Sequence, residues 1–249
     1  MATTTVSIIN QKGGTGKTTT TINLGRALSK LGKKVLLIDL DPQSNLSYSL
    51  GITEPEFTLA DVFTGNKKLK EIIVDKDDNF SVAPGSHELV DIEISLVTQE
   101  KRESFLKSIL ANVKIFDFIL IDCPPSLSVL TVNALTASQQ VLIPLQMEVL
   151  TLQGLNQILA TVKQVKSTLN TKLKIKGIVI VMYDKRRKLS SEVEAFLQES
   201  VDEKIFRSKV RLNVKLAEAP SFGQSILDYD PNSNGAQDYL AVAKEFLEI

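Results

Sequence analysis

The stretch VSIINQKGGTGKTTTTINL, residues 6–24, decides the reading of this chain. Val6–Asn10 is a short β-branched run and reads as a strand. Gly16–Leu31 follows, with Ala27, Leu28 and Leu31 among its apolar positions, and reads as a helix. Between them lies a glycine-rich loop. Gly13, Gly14 and Gly16 let backbone N–H groups converge on phosphate oxygens without interference from a Cβ. The start of the helix adds the positive end of its dipole. Lys17 is spaced to reach β- and γ-phosphates, and the Thr18 hydroxyl to ligate Mg2+. The strict pattern GxxxxGK[ST] is not met, because position 11 is Gln. KGGxGKT fits instead, with an additional lysine at Lys12.

Working outward, short apolar runs alternate with longer amphipathic ones. Val35–Asp39, Phe80–Ala83, Phe118–Asp122, Val141–Leu145 and Ile178–Met182 are nearly continuous in apolar residues. Such runs suit parallel strands buried on both faces. Leu152–Leu169 and Glu192–Val201 read as helices between or after them. The alternation predicts a doubly wound α/β fold: a mostly parallel sheet with helices on both faces. No linker, repeat or low-complexity segment divides residues 1–249, so one domain is expected. Asp39 and Asp122 each end a strand, and ligands of open α/β sheets bind beyond the carboxyl ends of strands. Two acids there, beside a glycine-rich loop, point to a metal–phosphate site.

Composition narrows the function classes. The 29 Lys and Arg balance 29 Asp and Glu, and hydrophobic residues make up 43%. Disorder is excluded by that apolar fraction. Cys123 is the only cysteine, which excludes a disulfide scaffold and CxxC metal or cluster chemistry within one chain. Cys123 reads as a packing residue, and His87, the sole histidine, as a surface residue on a polar loop. No apolar run approaches the ~18–20 residues of a membrane helix. The first residues lack a basic stretch followed by an apolar one, so a cytoplasmic location is expected.

Four motifs together resemble the deviant Walker A ATPases, in particular the ParA/Soj branch that partitions chromosomes and plasmids. They are NQKGGTGKTTTTINL (10–24), KVLLIDLDPQSN (34–45), FDFILIDCPPSL (116–127) and LAEAPSFGQSI (216–226). They run from the first strand to near the end of the chain. The resemblance implies ATP and Mg2+ as cofactors. It implies nucleotide binding by Lys12, Gly13, Gly14, Thr15, Gly16, Lys17, Thr18 and Thr19, with Asn213 near the base. It makes Lys12 a signature lysine that crosses to the nucleotide of a second subunit, so that two monomers sandwich two ATPs. A mobile cation supplied in trans neutralises charge on the transferred phosphoryl group. With Lys12 and Lys17, Asp41 is the third catalytic residue and orients or activates the attacking water. Thr18, Asp39 and Asp122 serve the metal, Asp39 through its hydration shell and Asp122 as the Walker B-type acid. In extended chain Asp39 and Asp41 share a side. Pro42, Pro124 and Pro125 stop the strands and stiffen loops that resemble γ-phosphate-sensing switches.

A basic run, Lys185-Arg186-Arg187-Lys188, follows the strand IVIVM, and Lys204, Arg207, Lys209, Arg211 and Lys215 come after it. No acid lies between 204 and 215. The resemblance implies that Arg186 and Lys215 contribute to non-specific binding of double-stranded DNA by the ATP-bound homodimer, a contact that is sequence-independent and salt-sensitive. It also implies a ParB-like partner that stimulates slow hydrolysis, and association with the nucleoid. The chain departs from the family pattern at Arg211-Leu212, which bears on base contacts, and at Glu148-Val149-Leu150, which bears on the dimer or partner surface. Two other readings use the same chemistry. One is an orphan ATPase positioning a protein cargo. The other is a MinD-like membrane switch, which the C-terminal residues 237–249 disfavour, since they hold one lysine and three acids and form no basic face. The phosphate loop begins at residue 11, so no preceding DNA-reading domain, and hence no operator-based autoregulation, is expected.

Overall fold

The computed structural model describes residues 3–148, 151–186, 197, 199 and 201–248, with the main chain alone for 151–153. The strands are β1 (Thr4–Ile8), β2 (Val35–Asp39), β3 (Val74–Asp77), β4 (Phe80–Ala83), β5 (Phe118–Asp122), β6 (Gln140–Gln146) and β7 (Lys174–Val181). Among the described residues they form one seven-stranded sheet in the order β3-β4-β2-β5-β1-β6-β7. Every pairing is parallel except the edge pair β3–β4. Three strands, β2, β4 and β5, coincide with their predicted limits. Each is mainly apolar, with Ser81 inside β4 and Asp39 and Asp122 closing β2 and β5, and every residue but Phe118 is buried, as in a sheet covered on both faces.

Successive side chains of these strands alternate between two cores. Leu36, Ile38, Ile119 and Ile121 pack on one face with Leu89, Leu106, Leu130 and Ile158. Val35, Leu37, Leu120 and Val179 pack on the other with Leu24, Leu28, Tyr239 and Phe246. The first helix is Lys17–Lys30, capped by Gly16 and Leu31, and it runs beside the C-terminal helix Asn234–Glu248. The opposite face is covered by Thr151–Thr168, Val129–Ala137 and shorter helices. The predicted helix Glu192–Val201 lies almost wholly outside the described residues.

From β1 the chain crosses to β2 on one side, whereas β5 leads to β6 on the other side of β1. This reversal opens a crevice at the carboxyl ends of β1, β5 and β6, the place where doubly wound sheets take ligands. Farther out, Gly51 and Gly223 meet backbone to backbone, both at positive φ (72° and 65°). A methyl group on Gly223 would lie 3.0 Å from the Cα of Gly51. The contact joins the short helix Asn45–Ser49 to the 219–222 turn.

Candidate active site

The glycine-rich loop leaves β1 and is fixed at its mouth by Asn10. The buried Asn10 amide donates to the Pro144 carbonyl at 2.7 Å, and its Oδ1 accepts the Lys12 N–H at 3.1 Å. Gly14 and Gly16 have φ of 74° and 78°, a conformation that penalises any other residue. Thr15 is buried and donates to the Lys12 carbonyl at 3.0 Å, tightening the turn. Lys17 is buried in the first turn of the helix, with its Nζ 3.4 Å from the Lys12 carbonyl. Burial lowers its pKa, opposed by the nearby Asp122 and Asp41 carboxylates.

The strand-end acids stand side by side, because Asp39 and Asp122 are register partners on β2 and β5. Both are wholly buried. Asp122 accepts the Thr18 hydroxyl at 2.7 Å through Oδ2 and the Thr21 hydroxyl at 3.3 Å through Oδ1. Burial pushes its pKa up to about 8, helped by the Asp39 charge and opposed by the Thr18 hydrogen bond. Asp39 accepts both the N–H (2.8 Å) and the hydroxyl (2.6 Å) of Ser47 on one oxygen. Its other oxygen, Oδ1, is buried without a partner. Burial raises the Asp39 pKa to about 6, against the pull of the Ser47 hydrogen bonds. A buried orphan carboxylate oxygen is costly and calls for an outside donor or cation. The hard oxygens of Thr18, Asp122 and Asp39 fit Mg2+, whose charge would favour the ionised acids.

Asp41 leaves the company of Asp39. The chain turns after Leu40, and Asp41 Oδ1 accepts the Gln43 N–H at 3.0 Å. Asp39 is thereby turned to Ser47, whereas Asp41 lines a cleft of about 320 Å3 with Gly13, Gly14, Gly16, Lys17, Thr18 and Thr19. The strand does not extend to residue 41, so the period-two expectation that the two acids share a side does not carry through the turn. Lys12 is not in the wall of that cleft. Its ammonium pairs with Glu148, just past β6, and it remains half exposed.

Asn213 lies next door. It caps a helical turn by accepting the Lys215 N–H at 2.9 Å. It also lines a mainly apolar cavity of about 260 Å3 with Val181, Met182, Leu212, Leu216 and Tyr239. Gly16, Thr19 and Met182 belong to both cavities, so the apolar one adjoins the phosphate loop. Arg186 and Lys215 line neither the phosphate cleft nor this cavity, although Lys215 lies between the cavity residues Asn213 and Leu216. Arg186 is 83% exposed and forks onto Asp184 at 2.9 and 3.0 Å, and Lys215 reaches Glu218 at 3.0 Å. Arg187 and Lys188 lie outside the described residues. Cys123 is buried and His87 exposed, as their sequence contexts imply. Among the described residues no helix is long and apolar enough to cross a membrane.

Several site residues carried no usable sequence signal. Glu148 was visible only as a departure from a pattern, and nothing marked it as the partner of Lys12. Ser47, in the helix Asn45–Ser49, and Gly85, in the loop after β4, support Asp39: Gly85 donates its N–H to the Ser47 hydroxyl, and a methyl group on it would fall 2.4 Å from the Asp39 carbonyl oxygen. Tyr239, from the C-terminal helix, meets the Thr20 hydroxyl at 3.2 Å behind the loop.

Comparison with known proteins agrees with this geometry. The sequence pattern of an AAA domain matches residues 3–175. The chain is 45% identical to the chromosome-partitioning ATPase Soj of Treponema pallidum over 98% of this chain and 96% of that one. It is also 45% identical to the sporulation initiation inhibitor protein Soj of Bacillus subtilis, over 96% of each chain. The crystal structure of cobyrinic acid a,c-diamide synthase from Mycobacterium smegmatis with bound ADP and magnesium superposes with a TM-score of 0.87. It is 33% identical and covers 99% of this chain and 94% of its own. The chain belongs to the ParA/Soj family of chromosome-partitioning ATPases.

Proposed function

We propose that the protein is an ATP-dependent switch for DNA segregation, whose ATP-bound dimer binds double-stranded DNA non-specifically and is released by partner-stimulated hydrolysis. The observation that carries this reading is the placement of Asp41 and the phosphate loop in one cleft while Lys12 stays outside it, half exposed. Gly13, Gly14, Thr15 and Gly16 cradle the phosphates of ATP with their N–H groups, and Lys17 meets the β- and γ-phosphates. Thr18 and Asp122, with Asp39 behind them, hold Mg2+, which when bound neutralises phosphate charge. Asp41 orients the attacking water and draws its proton as ADP and phosphate separate. Lys12 releases Glu148 and reaches the nucleotide of the second subunit. The apolar cavity beside Asn213 takes the base, with Leu212 supplying packing surface. Arg186 and Lys215 contact DNA phosphates, and a ParB-like partner accelerates the return to the monomer. The protein works in the cytoplasm on the nucleoid, without a membrane.

The test is binding to a random-sequence duplex with ADP and with ATP, using Asp41→Ala to hold the ATP state. Binding is expected only with ATP, with a steep fall in rising salt and a further loss in Arg186→Glu and Lys215→Glu. Absence of binding at low salt, with dimers confirmed by light scattering, would remove DNA as the track and leave a protein cargo.

A further inference from the structure

The end of the sheet where the parallel strands begin, opposite the phosphate loop, holds a cavity of about 720 Å3. Thr5 of β1, Ile119 of β5 and Gln139 just before β6 stand in its wall. Three helices, Phe105–Leu110, Val129–Ala137 and Thr151–Thr168, end beside it. Its charge is of one sign. Lys107, Lys114 and Lys172, all exposed, line it, and no Asp or Glu does. Among the described residues none of these three lysines has an ion-pair partner. The sequence around them is as one-sided. Residues 104–116 carry Lys107 and Lys114 and no acid, and residues 149–183 carry Lys163, Lys166, Lys172, Lys174 and Lys176 and no acid. In a chain of zero net charge, cations gathered around a concave surface focus a field that attracts anions.

These lysines are not needed to cap the helices. A helix C-terminus presents bare carbonyls that a cation can satisfy. Here other donors reach them. Asn170 Nδ2 donates to the carbonyls of Leu135 at 2.9 Å and Ser138 at 2.6 Å. The Val113 N–H donates to Leu110 at 3.0 Å, and the N–H groups of Leu169 and Asn170 to Val165 at 2.9 Å. The wall also holds a hydroxyl with nothing to bond. Thr136 is 2% exposed, and its Oγ1 is buried without a partner. Elsewhere in the chain the helical threonines Thr21, Thr161 and Thr168 each donate to the carbonyl four residues back. Thr136 makes no such bond, and a buried hydroxyl left unmatched is costly.

We propose that this cavity is a second ligand site, distinct from the nucleotide site, and that it takes a small anion carrying more than one phosphoryl group. The three ammonium groups meet phosphoryl oxygens as point charges. The Thr136 hydroxyl donates to the oxygen that enters deepest. The space is about twice the 320 Å3 of the phosphate cleft, and a lone orthophosphate would leave cations unmatched.

The experiment uses the full chain with its phosphate loop filled by ADP and Mg2+, and tripolyphosphate as the probe at fixed free Mg2+. Calorimetry reads affinity and stoichiometry. One tripolyphosphate per chain is expected to bind, more tightly than orthophosphate. Lys107→Gln/Lys114→Gln/Lys172→Gln is expected to weaken it about tenfold, with the thermal midpoint and unstimulated phosphate release unchanged. Thr136→Val, which keeps the side-chain shape, is expected to weaken it about threefold. Lys17→Ala is expected to bind the probe as the parent chain does. Equal binding by the triple variant would overturn the proposal. Loss of binding in Lys17→Ala would do the same, by placing the probe in the phosphate loop. So would displacement of the probe by a duplex DNA, which would make these lysines part of a nucleic-acid surface.

Discussion

The stretches 35–66 and 77–100 contain acids and no Lys or Arg, whereas 204–215 contains cations and no acid. The fold treats them differently. In the basic segment two charges are met by carboxylates, and a third acid packs on its main chain: Arg211 forks onto Asp238 at 2.7 Å, Lys215 reaches Glu218 at 3.0 Å, and Glu245 accepts the backbone N–H groups of Arg207 and Ser208. Among the described residues Glu54, Glu56 and Asp91 have no ion-pair partner, and Asp77, paired with Arg26, is the exception in its stretch. A run of like charge in a sequence is therefore not yet a field in space. The basic run is partly neutralised in place, and the proposed DNA phosphates would have to compete with Glu218 for Lys215. The acidic region keeps most of its charge free of ion pairs.

The largest expected effect comes from Asp41, the acid proposed to orient the attacking water. Asp41→Ala should lower phosphate release by about 10^3-fold, in the range of a lost general base, while ATP-bound dimers accumulate on a sizing column. Normal release would remove Asp41 from the reaction and leave it one more acid of the region. Next is the floor of the same region. Gly85→Ala places a methyl group 2.4 Å from the Asp39 carbonyl oxygen, and the backbone must shift, at a cost of about 3 kcal/mol visible in urea unfolding.

Arg26→Met tests the exception. Arg26 donates to Asp228 at 2.7 and 2.8 Å and pairs with Asp77. Burial opposes ionisation of both acids, and the guanidinium overcomes it, so each titrates below the ordinary carboxylate range. The folded values are depressed, so the stabilisation is fully present above the unfolded-chain value near ~4 and fades as pH falls through the folded values. The variant should lose about 2 kcal/mol at neutral pH, less than a fully buried pair because both acids are partly solvated. Its stability curve should converge on that of the parent chain below about pH 4. The smallest effect belongs to the basic segment. Glu218→Gln releases Lys215 and should tighten DNA binding roughly threefold at low salt, with the gain gone at high salt. No change would mean that the Lys215–Glu218 pair does not restrain the basic surface.

Legibility followed local chemistry. β2, β4 and β5 were readable because they are apolar apart from Ser81 and the closing Asp39 and Asp122, and the phosphate loop because its glycines, Lys17 and Thr18 sit in one continuous segment. The edge strand Val74–Asp77 was not, since VDKD is polar and pairs antiparallel on one side only. Short helices such as Leu59–Phe63 and Phe105–Leu110 span too few turns to show a period. The site's support was hidden for a different reason. Glu148, Gly85 and Tyr239 come to the phosphate loop or to the Asp39 site from distant segments, and only the topology of the sheet brings them there; Ser47 is brought back to Asp39 by the intervening turn.

The meeting of Gly51 with Gly223 has a mechanical consequence. The first follows the Asn45–Ser49 helix that comes directly after the Asp41 turn, and the second follows the segment holding Lys215 and the wall of the apolar cavity. Two main chains in van der Waals contact, with no side chain between them, form a stiff contact. There is no soft rotamer to absorb a displacement, and no ion pair for salt or pH to loosen. A displacement that brought the phosphate end closer to the far segment would meet main chain directly, and a side chain at either glycine would hold the two segments apart.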